Sequence, residues 1–187
     1  MTSTNDFSDT FSDSVIACAR ACGLRVARLD ELSELRKLAT ELISPHIMSL
    51  AGLRMVLRKT RSGLLAFEEA GGALTGMLAV ARLTDKGHEA LLTGRFNPLA
   101  PSARHYAGPG DAASAVYALG IAARTREAAR ATVTACTHLR ETVMAELPFF
   151  ARPATAAGRR VLIERLHCSE TLGDLLWSPP LRPERAI

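Results

Sequence analysis

The hydrophobic pattern changes period several times along the chain, and each change marks an element. Leu32, Leu35, Leu38 and Leu42 recur at helical spacing just after Asp30, which reads as an N-cap. Ser44-Pro45 ends that helix, because proline disfavours helical geometry in the residue before it. Leu50, Leu53, Val56 and Leu57 predict a second short helix ending near Lys59. Ahead of these, residues 14–22 suit a short outer helix, and 24–29 alternate as a short strand.

A hairpin follows, with arms at 64–70 and 73–83 joined by Gly71-Gly72, a pair suited to a tight two-residue turn. Residues 84–114 are broken by seven Gly and Pro residues and read as a long loop, with at most one small element near 88–96. Regularity returns with a buried strand over 115–122. A helix then runs from the polar stretch at 124–127 to about residue 145, on an apolar face of Val133, Cys136, Leu139 and Val143. A strand at 147–151, a helix capped by Thr155 and reaching Leu166, and a strand at 172–177 complete the series. Strands and helices alternate only in the second half. This predicts an α/β (α+β) fold with a mixed, mostly antiparallel central sheet and helices on both faces. Residues 1–23 read as a tail and short helix, 24–177 as the domain, and 178–187 as a Pro-rich arm.

Composition narrows the function classes. The 187 residues are 48% hydrophobic and 22% charged, which suits one globular domain. No apolar run reaches the roughly 18 residues of a membrane span, and residues 1–10 lack the pattern of a secretory signal. A cytoplasmic, bacterial protein without membrane partners is expected. Twenty of the 23 cations are arginine, and the formal charge of +4 concentrates in residues 115–166, with eight cations against four anions. That is small for a nucleic-acid surface and enough for one polyanionic small molecule. Six Phe, two Tyr and one Trp supply no interleaved stacking platform for nucleic acid. Cys18, Cys22, Cys136 and Cys168 are scattered and complete no metal-ligand pattern.

The chemistry sits where the strand at 116–121 passes through a cationic turn into a helix that opens on small residues, Arg126-Glu127-Ala128-Ala129-Arg130-Ala131. Backbone N–H groups at a helix start lack internal partners and carry the positive end of the macrodipole. Small side chains let a phosphate approach those amides, and Arg124, Arg126 and Arg130 add charge. The same stretch also reads as an alanine-rich helix with solvated arginines.

The order of elements resembles the GNAT superfamily of acyl-CoA-dependent N-acyltransferases across residues 24–177. Ile121 stands at the family's strand-ending valine, Arg126 falls five residues later, and Ala129 and Ala131 take the two small positions of its Arg/Gln-x-x-Gly-x-Gly/Ala motif. Ile163 to Cys168, IERLHC, resembles the family's Tyr-Glu-Lys-Leu-Gly-Phe segment. The resemblance implies acetyl-CoA or another acyl-CoA as co-substrate, held by Ile121, Ala122, Arg126, Glu127, Ala128, Ala129, Arg130, Ala131 and Thr132. It implies direct attack of a neutral amine on a thioester that a strand amide polarises.

The departures from the pattern concern catalysis. Both cradle glycines are alanine, Ile163 replaces the tyrosine that protonates the leaving thiolate, and Ala115 replaces a glutamate found in some members. Replacement candidates are Tyr117, Asp111, His105 and the pair Glu68 and Glu69, with Cys168 as a thiol donor. The expected function is transfer of an acetyl or acyl group to an amine, either a small molecule or a protein N-terminus or lysine. The alternative is a catalytically silent CoA-binding or protein-interaction module. A homodimer is compatible with either, and no metal is expected.

Overall fold

A computed structural model describes residues 10–171 and 173–181. The expectations for the tail before Thr10, for Leu172 and for the arm after Leu181 lie outside the described residues. The elements are α1 (Thr10–Ala21), β1 (Leu24–Val26), α2 (Leu32–Leu42), α3 (Leu50–Thr60), β2 (Leu64–Glu68), β3 (Leu74–Leu83), α4 (Asp85–Leu92), β4 (Ala115–Ala123), α5 (Arg126–Glu141), β5 (Phe149–Ala151), α6 (Ala156–Glu164), β6 (Ser169–Glu170) and β7 (Leu176–Ser178). The strands form one sheet in the order β1-β2-β3-β4-β5-β7-β6. Every neighbouring pair is antiparallel except β4 and β5, which run parallel with α5 as the crossover between them. The expected mixed, mostly antiparallel sheet is the one found.

Alternation along the strands builds two cores, one on each face. Met77, Ala79 and Ala81 of β3 point to a front core shared with Leu35 and Leu38 of α2, Val56 and Leu57 of α3, and Leu91 of α4. Leu78 and Val80 point to a back core shared with Val15 and Ala19 of α1, Ala135 and Leu139 of α5, and Leu162 of α6. Because both faces are covered, β3 is buried at almost every position and its sequence is nearly continuously apolar.

Four helices start on a hydroxyl cap: Ser49, Thr84, Thr125 and Thr155 accept from the N–H of Gly52, Gly87, Ala128 and Gly158. The start of α2 differs from expectation. Asp30 is exposed, and the buried Glu31 carboxylate accepts from Arg28 N–H at 2.7 Å while pairing with Arg25. The hairpin turn is also wider than two residues. Glu69 N–H reaches Ala73 O, Gly72 N–H reaches Glu69 O, and only Gly72 of the glycine pair takes a positive φ, +83°.

Within 84–114 the one small element expected near 88–96 is a helix, α4, longer and earlier than expected, and the loop follows it from 93 to 114. Gly87 there is not a breaker: a Cβ at that position would stand 2.2 Å from His105 O, so glycine lets α4 lie against the backbone of residues 103–105. The end of α5 comes earlier than expected, at Glu141. Next to it the buried Arg140 donates to Met144 O, Leu147 O and Ser178 Oγ and also bonds Pro179 O, so it ties the helix end to the end of β7.

Candidate functional site

The centre of the sheet is irregular at one point. Ala79 pairs with Gly120, while the next residue, Val80, pairs with Ala118. Leu119 therefore has no partner on β3, which is a β-bulge in β4. On the other side, β4 and β5 pair only over Val116–Ala118 and Phe149–Ala151. Beyond Ala118 and Ala151 the two parallel strands separate, because Arg152-Pro153 leaves the sheet while β4 continues to Ala123. A wedge opens at the carboxyl ends of the parallel pair, the place where open sheets of this kind hold ligands.

Two cavities meet at the wedge. The back cavity, about 290 Å³, lies between the start of α5 and α6 and is lined by Ile121, Ala122, Ala129, Val133, Gly158 and Val161, among others. The front cavity, about 250 Å³, lies under α2. Its walls include Leu35, Ala39, Met77, Ala79 and Tyr117, and its polar groups include Arg36, His46, Arg152 and Asp174. Ile43, Leu119, Gly120, Arg152, Pro153 and Ala154 line both. Gly120 lies close under Ile43: a Cβ there would meet Ile43 Cδ1 at 3.1 Å.

The residues expected at the cofactor divide into three groups. Ile121, Ala122 and Ala129 line the back cavity. Ala128 and Thr132 are fully buried against the sheet, where Gly76 makes room for them: a Cβ at Gly76 would meet Ala128 Cβ at 2.9 Å. Their small size is thus explained by helix–sheet packing, and Ala131 likewise packs on the back core. Arg126, Glu127 and Arg130 are exposed around the first turn of α5. At that turn Ala128 N–H is capped by Thr125 Oγ1 and Ala129 N–H already bonds Thr125 O, which leaves the amides of Arg126 and Glu127 facing outward as donors. Arg124 pairs with Glu41 of α2 beside the back cavity's Leu42.

Of the proposed proton-transfer residues, Tyr117 alone lines a cavity. It is 3% exposed, and burial pushes its phenol above the ordinary tyrosine value, with Arg152 opposing and Asp174 reinforcing the shift. Asp111 sits on the surface in a 2.7 Å pair with Lys59, whose ammonium lowers its pKa, and it accepts from Gly108 N–H. His105 stacks near Phe96, and burial lowers its pKa. Glu68 pairs with Arg25, and Glu69 accepts from Thr75. Cys168 is buried in the back core, its thiol pushed by that burial to about 11. Ile163, the position of the missing tyrosine, is 41% exposed and lines neither cavity.

Arg36, His46, Arg152 and Asp174 carry the polar character of the front cavity, and no motif in the sequence marks them. Arg36 Nε donates to Met48 O at 3.1 Å. Arg152 Nε lies 2.7 Å from Asp174 Oδ1, with the two side chains 33% and 67% exposed. Among the described residues, no group of three or more His, Cys, Asp or Glu could hold a metal ion, and no helix is long and apolar enough to cross a membrane.

No protein-family model matches the chain, and no curated protein matches it. Solved structures do. One is a GphF GNAT-like decarboxylase in complex with isobutyryl-CoA, at 16% identity and a TM-score of 0.46 over 68% of this chain and 64% of that one, less than two thirds of its length. Another, described as histone acetyltransferase HPA2 and related acetyltransferase from Corynebacterium glutamicum, matches at 15% identity and a TM-score of 0.47, over 87% of this chain and 98% of the other.

Proposed function

We propose that this chain is an acyl-CoA-dependent N-acyltransferase of the GNAT type, with the wedge between β4 and β5 as its site. The observation that carries the reading is that the two cavities lie back to back at the wedge, sharing Leu119, Gly120 and Arg152 as lining beside the bulged strand. A thioester has two unlike parts that must meet at one carbonyl, and a sheet opened in the middle offers one side to each. The back cavity, beside the start of α5, suits the thiol arm, with the diphosphate near the outward amides of Arg126 and Glu127 and the Arg126 and Arg130 guanidiniums. The front cavity suits the amine.

In this reading the carbonyl lies beside Leu119 and Gly120, where the bulge releases strand amides from the ladder. An alkyl ammonium must lose a proton before it attacks, and water entering the front cavity past the exposed Asp174 can take it. The nitrogen–carbon bond forms as the carbon–sulfur bond breaks, and the thiolate leaves. Tyr117, kept protonated by burial, lines the front wall, where its phenol is available as a hydrogen-bond donor.

The test is acyl transfer. Acetyl-CoA is offered with a panel of small amines, amino acids and peptide N-termini, and CoA release is followed by thiol titration. Release that depends on an acceptor supports the proposal. Saturable acetyl-CoA binding with no transfer to any acceptor favours the silent module, a reading that the exposed Ile163 and the absence of a cavity-facing acid other than Asp174 among the described residues keep in view.

A further inference from the structure

We infer that the acceptor is a free α-amino acid with an apolar side chain, its carboxylate held by the Arg152 guanidinium; this rests on the acyl-transfer reading above. Arg152 is the first residue after β5, so the divergence of the strands carries its side chain to the junction of the two cavities. A guanidinium has five N–H donors, and the ion pair with Asp174 cannot occupy them all. The remaining fork matches a carboxylate bidentately. Asp174, anchored just before β7, acts here as a positioning residue for that fork.

The charge balance selects against other amines. The front cavity brings together two permanent cations, Arg36 and Arg152, and one anion, Asp174, with His46 at its edge. A lysine side chain or a polyamine adds only positive charge to a wall that already has an excess of it. An α-amino acid brings a carboxylate with its amine, so its zwitterion adds no net charge, and once the ammonium has lost its proton the carboxylate offsets the excess cation. The carboxylate and the amine sit on one carbon, so a carboxylate held at Arg152 keeps the amine in the junction that Leu119 and Gly120 also line.

The remaining space is apolar and limited. Leu35, Ala39, Met77 and Ala79 present hydrocarbon, and about 250 Å³ is below the range of roughly 300–1,000 Å³ common for larger ligands. One amino-acid side chain of leucine size fits that description. The reaction balances without a further reactant: the ammonium gives one proton to water, the N–C bond forms, the thioester C–S bond breaks, the nitrogen's second proton passes to the departing thiolate, and the products are an N-acyl amino acid and CoA.

The experiment compares three ligands that differ at one group: L-leucine, leucinamide and isoamylamine, each titrated into the whole chain with and without acetyl-CoA by thermal shift and calorimetry. Leucine should bind about tenfold or more tightly than the amide or the bare amine, and Arg152→Ala should abolish that preference. Arg152→Lys should recover part of the affinity and little of the discrimination. Equal binding of all three by wild-type protein overturns the inference, even where the variants do not fold. Tight acetyl-CoA binding with indifference to the carboxylate sinks the amino-acid acceptor alone. Leucine binding without any acetyl-CoA response sinks the acyl-transfer reading and leaves the amino-acid pocket standing.

Discussion

Arg152 Nε lies 2.7 Å from Asp174 Oδ1, and this ion pair joins the end of β5 to the approach of β7 on the wall of the front cavity. Both side chains are partly exposed, so the pair contributes little to stability, about 0–1 kcal/mol. Its value lies in direction. Asp174→Asn should leave the unfolding midpoint nearly unchanged, raise the KM for the acceptor several-fold, and leave acetyl-CoA affinity as it was. Steady-state kinetics at varied acceptor concentration separate this from a structural role, in which both substrates would suffer together.

The tyrosine that stands opposite Ile163 in the pattern the sequence resembles is not recoverable by substitution. Ile163 is 41% exposed on α6 and lines neither cavity, whereas Val161 faces the back cavity from the same helix. Ile163→Tyr should therefore change turnover by less than about twofold, against the 10²–10⁴-fold that a placed general acid typically supplies. A hundredfold gain would mean that α6 turns a different side to the thioester.

Gly87 carries a stability prediction. Alanine gains about 0.8–1 kcal/mol of helix propensity over glycine in α4. Its Cβ would stand 2.2 Å from His105 O, a backbone atom that cannot swing away, and overpacking of that kind costs typically 1–3 kcal/mol. The second effect wins. Gly87→Ala should lower the urea midpoint with an unchanged slope.

Glu31 sets a pH dependence. Its buried carboxylate is held below the ordinary value of about 4.5 first by its hydrogen bonds to Arg25 and then by the Arg28 backbone N–H, against the opposing effect of burial. A carboxyl with a lowered folded-state pKa contributes stability that is full above its unfolded value and lost as pH falls through the folded one. Unfolding free energy should thus fall as pH drops below about 4.5, and Glu31→Gln should flatten that part of the curve while costing roughly 1–2 kcal/mol at neutral pH. Denaturant melts at pH 3, 5 and 7 read both effects.

Much of the fold is legible in the sequence because burial on both faces writes period and continuity directly into it. Leu32, Leu35 and Leu38 mark α2, and the run from Met77 to Ala81 marks β3. The misread parts have local causes. Gly87 looks like a breaker because sequence cannot show that His105 O leaves no room for a side chain. Asp30 looks like the cap because a short polar residue usually is one, yet the longer Glu31 reaches Arg28 N–H from inside the turn. At the site, the small residues at the start of α5 were visible, but their meaning was not. Ala129 faces the cavity, while Ala128 serves the contact with Gly76. Arg152 and Asp174 were invisible as a pair, since they are 22 positions apart and meet only through the pairing of β5 with β7.

The central claim is that acyl-CoA enters the wedge through the back cavity, past Ala129. Calorimetric titration of acetyl-CoA into wild-type protein and into Ala129→Glu tests it most directly, with circular dichroism to confirm that the variant is folded. Ala129 lines the cavity at half-burial, so a glutamate there intrudes on it and sets a negative charge against the diphosphate. The account predicts saturable one-site binding by the wild type and none by the folded variant. No binding by the wild type, or equal binding by both, would contradict it.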